Sequence, residues 1–374
     1  MNLDQIRDQI DSADKALIEV IKKRLELVKQ VGIIKKEIGA PVYVPERELA
    51  LLNKRRAECE ALGINPDLIE DLLRRLMRES YGSESAGFKC VNPNARKIVI
   101  IGGRGGMGKI FVNFFQNSGY VVESMGSKDW DKADDILKDA SLVIVSVPID
   151  KTELVIRKLS NLPSDCILAD FTSTKTMPLN VMLEVHKGPV VGLHPMFGPD
   201  ISNLAKQLII WVEGRNNVDC QWLREQMLLW GANIVESTAK QHDEAMGYIQ
   251  ALRHFTTFCY GIYLANDNPD LQQIMQLSSP IYHMELMMVG RLFAQDASLY
   301  ADIILSNNNN LEIIERYINV LQDSLNKIKA GDRNSFIESF NVAKEYFGEF
   351  STMFMKESKG LLAKMHDAKM IKNK

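Results

Sequence analysis

One stretch limits what this chain can fold into more than any other: Lys97–Lys109, KIVIIGGRGGMGK. Ile98–Ile101 is too short an apolar run for a helix and is rich in β-branched residues, so it reads as a buried strand. Gly103, Gly105 and Gly108 follow in the pattern G-x-G-x-x-G, and Ile110, Phe111, Phe114 and Phe115 then recur at helical spacing. Strand, glycine turn and helix in that order predict a dinucleotide site, where the glycines alone would be equally at home in a structural turn. Gly103 permits the tight turn, Gly105 lets backbone approach a pyrophosphate, and Gly108 lets the helix pack on the strand. Arg104, Gly106 and Met107 complete the loop, whose helix end offers free N–H groups and a positive dipole end to phosphate.

At 374 residues the chain predicts two or three domains. A net charge of −3 gives no reason to expect nucleic acid or a membrane surface as partner. No apolar run is long enough to span a bilayer, and the N-terminus lacks the apolar core of a signal peptide, so a cytoplasmic location is expected. The five cysteines are scattered, without a C-x-x-C, which argues against a disulfide framework and against a zinc site. No metal is expected.

Residues 3–37 predict one long helix with the apolar stripe Leu3, Ile6, Ile10, Leu17, Ile21, Val28 and Val31. A second helix runs from about Pro45 to Leu62. A third starts at Pro66 behind an Asn65 cap, with the stripe Ile69, Leu72, Leu73, Leu76 and Met77. Three such helices cannot bury their stripes well alone, so pairing with a second chain is expected. At ~100° per residue, Arg24 and Lys35 fall within roughly 20° of each other on the apolar face, and Arg7 lies about 100° around the helix from Arg24. Cations on a buried seam need an anionic partner; Asp14 can serve one, and a bound dianion the others. At ~1.5 Å per residue, Arg24 and Lys35 are ~16 Å apart, which two long side chains and a small ligand can bridge, whereas Arg7 lies ~26 Å from Arg24 and, if it joins such a site, comes from another chain.

Residues 82–96 read as a linker. Strand candidates follow at Ile98–Ile101, Tyr120–Glu123, Leu142–Val147, Cys166–Asp170, Val190–Leu193, Leu208–Val212 and Asn233–Val235, with helices between them, including Met107–Asn117 and Cys220–Trp230. This alternation predicts a doubly wound, mostly parallel sheet with its ligands at the carboxyl ends of the strands. The glycine loop, Ser146-Val147-Pro148, Ser173, Lys175 and His194 all stand at such ends. A histidine there, beside a cofactor cleft, is a candidate base. The acid that usually meets the ribose hydroxyls ~20 residues past the glycines is not evident in Glu123–Lys128, which leaves NAD and NADP both open. From Ala239 onward the pattern is helical. His242, Met246, Ile249 and Arg253 are expected on one face, Asn307–Asn310 as a loop or cap, and the basic tail after Ser351 as frayed. Arg291 in an apolar run is either a structural partner or a carboxylate ligand.

Residues 1–85 resemble the AroQ-type chorismate mutase module, and GLHPMFGPD, QALRHF and VGRLFAQD resemble prephenate dehydrogenase. The order of modules is similar to that of the bifunctional chorismate mutase/prephenate dehydrogenase family of tyrosine biosynthesis. The resemblance implies a helical module at 1–90, an NAD-binding Rossmann-like domain at 91–238 and a helical substrate and dimerisation domain at 239–374. It implies a homodimer acting on chorismate and then prephenate, with tyrosine as feedback inhibitor. In the first site it assigns Arg24 and Arg7 of the partner subunit to carboxylates, Lys35 to the ether oxygen, and Arg47, Glu48 and Ser80 to substrate. Glu84, where relatives carry glutamine, would donate to the ether oxygen only when protonated, so mutase activity is expected to fall as pH rises through its pKa. Val44 stands where the family often has aspartate. In the second site the resemblance makes His194 the base, Ser173 the residue that orients it and Arg291 the ligand of a prephenate carboxylate, with His242, Lys175 and Arg253 as further site residues. Other readings of the same residues are an arogenate or hydroxyacid dehydrogenase with a helical dimerisation arm, and a non-catalytic dinucleotide-binding regulator.

Overall fold

The computed structural model describes residues 2–84 and 87–371, with side chains throughout except at 83, 84 and 366–371. The chain divides into two compact units, residues 1–242 and 243–374.

The first unit opens with three helices. Helix α1 (Leu3–Ile38) begins on a reciprocal cap: Gln5 N donates to Asn2 Oδ1 at 2.9 Å, and Asn2 N to Gln5 Oε1 at 3.0 Å. It ends at Gly39, left-handed with φ 73°. Leu3, Ile6, Ile10 and Leu17 are exposed, while Ile21, Val28 and Val31 are half-buried where α3 packs. Helices α2 (Pro45–Ala61) and α3 (Pro66–Glu84) pack on each other, and α2 starts at Val44 without a side-chain cap.

Strand β1 (Lys97–Ile101) then enters a seven-stranded sheet. In chain order follow α4 (Gly106–Asn117), β2 (Val122–Met125), α5 (Ala133–Leu137), β3 (Ala140–Val145), α6 (Ile149–Arg157), β4 (Ile167–Asp170), α7 (Thr176–Val185), β5 (Val190–Pro195), β6 (Leu208–Arg215), α8 (Gln221–Leu229) and β7 (Asn233–Ser237). The spatial order is β2-β1-β3-β4-β5-β6-β7. All pairs are parallel except β5–β6, where His194 stands opposite Ile210. The chain order reverses beside β1, so a crevice opens at the carboxyl ends of β1 and β3, the usual ligand position. Alternation along β1 feeds two cores. Ile98 and Ile100 meet Phe111, Phe115 and Trp230 on one face, and Val99 and Ile101 meet Val143 and Ile156 on the other.

Several expected boundaries shift for identifiable reasons. The second strand is Val122–Met125 rather than Tyr120–Glu123, because Gly119 at φ 86° turns the chain and Tyr120 N closes back on Phe115 O at 3.1 Å. The third ends at Val145, and Ser146 and Val147 leave the ladder as a turn. His194 lies within β5 rather than after it, because the ladder to β6 continues to Pro195.

Helix α9 (Ala239–Met246) crosses from the first unit into the second. A π-helical turn, Gly247–Leu252, follows, and then α10 (Arg253–Asp267), α11 (Leu271–Leu277), α12 (Pro280–Phe293), α13 (Ala297–Leu305), α14 (Asn308–Lys329), α15 (Arg333–Phe347) and α16 (Glu349–Ile371). The single face expected for His242, Met246, Ile249 and Arg253 is not kept. The i→i+5 turn breaks the 3.6-residue phase, and Met246 is buried while Ile249 is exposed. Asn307 caps α14, accepting from Asn309 N at 2.9 Å. The basic tail, expected to fray, is helical to Ile371. Among the described residues no helix is long and apolar enough to cross a membrane, and no group of three or more His, Cys, Asp or Glu could hold a metal ion.

Candidate active sites

The glycine loop is built by one residue more than the motif names. Gly102 carries the left-handed φ of 86°, and a Cβ there would overlap the Ser146 carbonyl oxygen. The tight turn thus belongs to Gly102, not to Gly103 as expected, because Gly103 has no positive φ. Gly103 is nonetheless crowded: a Cβ would stand 2.6 Å from Ser124 Oγ. Gly108 must also lack a side chain, since a Cβ would overlap Gly102 O and lie 2.8 Å from Gly103 Cα. Gly105 is the N-cap of α4 and offers no side chain to its first turn. The N–H groups of Gly106, Met107 and Gly108 therefore start the helix without a side-chain cap, as an anion site requires. Pro199, from the loop after β5, closes over Gly106. Ser146 N bonds Ile101 O at 2.8 Å, and Pro148 caps α6, so Ser146-Val147-Pro148 borders the same crevice.

An acid stands four residues beyond the end of β2. Asp129 folds back so that its Oδ2 accepts from Gly126 N at 2.8 Å and pairs with Arg104 Nη1 at 3.0 Å. The Gly126 N–H and then the Arg104 charge hold this carboxyl below its ordinary value. Arg104 also donates to Ser124 O at 3.4 Å.

His194 is 3% exposed, and its Nδ1 lies 2.8 Å from His242 Nε2, the two rings edge to face at 5.0 Å. His194 Nδ1 thus meets a second histidine, from α9; Ser173, expected to orient His194, sits half-buried in the bend between β4 and α7. Lys175 is fully buried. Its Nζ pairs with Asp170 and donates to Leu193 O at 2.7 Å, the carbonyl preceding His194. Asp170 Oδ2 also accepts from Thr172 N at 2.8 Å. Gly192 makes room for the pair: a Cβ there would stand 3.1 Å from Lys175 Cδ. Asp170 was not legible as part of the site, although an acid ending a strand five residues before a lysine was a signal. In the second unit, Arg253 opens α10 directly after the π turn, and Arg291 stands exposed near the end of α12.

In the helical module, Arg24 Nη1 donates to Ser80 Oγ at 3.3 Å, and Ser80 Oγ to Leu76 O at 2.7 Å. Lys35 Nζ donates to Val42 O at 2.7 Å. Arg7 is exposed and pairs with Asp4 on its own helix at 3.4 Å. Arg47 is exposed in the first turn of α2. Its neighbour Glu48 is buried, with Oε1 taking Arg74 at 3.1 Å and Lys206 at 2.5 Å, and Oε2 taking the Tyr81 hydroxyl at 2.6 Å. The Glu84 side chain lies outside the described residues.

Residues 6–85 match the family described as chorismate mutase type II. Residues 117–208 match the nucleotide-binding domain of prephenate dehydrogenase, and residues 238–342 its dimerization domain. A T-protein of Enterobacter agglomerans is 52% identical over 368 residues, covering 98% of this chain and 99% of its own length. The chain belongs to the T-protein family. The T-protein of Haemophilus influenzae is 48% identical over 98% of both chains. Among solved structures, prephenate dehydrogenase from A. aeolicus in complex with hydroxyphenyl propionate and NAD+ aligns with a TM-score of 0.53 at 19% identity. It covers 68% of this chain and 98% of its own, which bears on the fold. Of the expected site residues, His194 stands on β5, His242 on α9, Lys175 in the loop after β4, and Arg24 and Lys35 on α1.

Proposed function

We propose that this chain is a bifunctional enzyme of tyrosine biosynthesis that rearranges chorismate to prephenate and then oxidatively decarboxylates prephenate to 4-hydroxyphenylpyruvate with NAD. The observation that carries the reading is the unbroken likeness to T-proteins across both modules. The modules proposed are residues 1–90, 91–238 and 239–374, working as a homodimer. Tyrosine, as end product, is the proposed feedback inhibitor. All five cysteines are free thiols, which suits the cytoplasm.

The rearrangement needs no nucleophile; it needs a flexible dianion held compact and charge stabilised at the breaking ether bond. Arg24, steadied by Ser80, and Arg7 of the partner subunit are assigned to the carboxylates, and Lys35 and protonated Glu84 to the ether oxygen. Arg47 and Glu48 are assigned to the rest of the substrate, Glu48 to its hydroxyl.

In the second site, Gly102, Gly103 and Gly108 leave the close approach that a pyrophosphate needs, and Asp129 suits an unphosphorylated ribose. Bound NAD supplies the hydride acceptor. His194 takes the 4-hydroxyl proton at Nε2 as hydride leaves the same carbon. That role requires the tautomer in which His194 Nδ1–H donates to His242 Nε2. The developing carbonyl draws electrons from the bond to the ring carboxylate. Carbon dioxide leaves, the ring becomes a phenolate, and the proton held by His194 can return to it. The Lys175–Asp170 pair holds the Leu193 carbonyl and so the strand carrying His194. Ser173 is assigned to the nicotinamide side, and Arg253 and Arg291 to substrate, with Arg291 on the carboxylate that stays. Prephenate and NAD should give equal amounts of NADH and 4-hydroxyphenylpyruvate; no NADH with either NAD or NADP would remove the reading.

A further inference from the structure

Glu48 belongs to the helical module, yet one of its closest partners does not. Lys206 lies in the segment leading into β6 of the nucleotide-binding domain, and its Nζ is 2.5 Å from Glu48 Oε1. The lysine is held in place by more than its charge. Its backbone adopts φ 67°, a left-handed conformation uncommon for a residue other than glycine, and its N–H bonds Gly231 O at 3.0 Å. Its ammonium lies 5.2 Å from the Tyr43 ring centroid and 5.8 Å from that of Tyr81, two rings packed edge to face. The seam around it is tight: a Cβ on Gly231 would stand 3.3 Å from Tyr43 Cβ, and Val42 N bonds Leu229 O at 3.2 Å.

We infer that Lys206 is a positioning residue for the mutase reaction, reaching out of the dehydrogenase fold to fix the orientation of Glu48. The inference rests on Glu48 being a mutase residue, as proposed above. Arg74 and Tyr81 of α3 share the task, and Tyr43 and Glu46 lie beside them. Burial alone would raise the Glu48 carboxyl. The bonds from Lys206 and Tyr81, with the Lys206 and Arg74 charges, outweigh burial and hold it below its ordinary value. An ionised Glu48 can accept from a substrate hydroxyl, and its fixed partners decide which lone pairs remain for that bond.

The test is steady-state kinetics on the full-length chain with chorismate and, separately, with prephenate plus NAD. Lys206→Gly suits the left-handed backbone while deleting the ammonium, so the fold is spared. Lys206→Gly should lower mutase kcat/KM about tenfold and leave dehydrogenase kcat/KM within about twofold. The acid limb of the mutase pH profile should move to higher pH, and Lys206→Arg should restore most of the loss. Glu48→Gln is measured beside them. If it lowers mutase activity while Lys206→Gly matches the native chain, the positioning role is overturned. If Lys206→Gly lowers both activities alike, the lysine only supports the seam, and the inference again fails. If Glu48→Gln itself has no effect, the assignment of Glu48 to the mutase site fails first.

Discussion

Asp129 lies about 20 residues past Gly108, the spacing at which dinucleotide folds place an acid for the ribose hydroxyls. It is the residue we assign to discrimination between NAD and NADP. Its negative charge is fixed against Gly126 N–H and Arg104, where a ribose phosphate would meet repulsion. Asp129→Asn should release Arg104 and raise the ratio of NADP to NAD kcat/KM by at least about tenfold. An unchanged ratio in the dehydrogenase assay would place the discriminating group elsewhere. This residue was hard to read from sequence, because it leaves the strand and returns through a side-chain-to-backbone bond. The same holds for the pairs that shape both sites. His194 with His242, and Glu48 with Lys206, join positions 48 and 158 residues apart, and no periodicity marks either. What was legible was residue type at a strand end: His194, Lys175 and Ser173 were visible because the strands themselves were.

The elements were legible where local signals agree. The stripe and cap of α1 and the apolar runs of β1, β3 and β5 mark themselves, whereas the π turn before α10 carries no distinct pattern. The glycine doublet Gly102–Gly103 was ambiguous because the motif fits Gly103, while the backbone turn falls on Gly102. Gly102→Ala is the sharper test of that element. It combines a left-handed φ with overlap on Ser146 O, so dehydrogenase kcat/KM should fall by roughly a hundredfold or more, with mutase activity within about twofold of native. Retained NAD turnover would return the turn to Gly103. In α10, burial and then the Arg253 charge push His254 down from 6.5 to about 4, its ring edge-on to Tyr300. The folded state resists a proton that the unfolded chain accepts below 6.5, so stability is full above that pH and falls as pH drops toward 4. Hydrogen exchange along α10, corrected for intrinsic rates, should lose protection between pH 7 and pH 5 in the native chain and much less in His254→Phe. Equal losses in both would exclude the histidine.

At the scale of the molecule, α1 leaves Leu3, Ile6, Ile10 and Leu17 exposed and Arg7 far along the helix from Arg24. In the homodimer proposed above, a second copy would supply both the cover and the cation. If each mutase site takes Arg24 from one chain and Arg7 from the other, Arg7→Ala and Arg24→Ala homodimers are both inactive. Their heterodimer regains one intact site, so a random mixture should show about a quarter of native mutase activity. Activity no higher than either parent would keep Arg7 within its own chain. The two modules together predict one behaviour that neither has alone. Chorismate and NAD, given to the native chain with no other enzyme, should yield NADH, while His194→Asn should yield none and accumulate prephenate. If NADH forms from prephenate but not from chorismate, the N-terminal helices are no mutase and the two-reaction reading is contradicted.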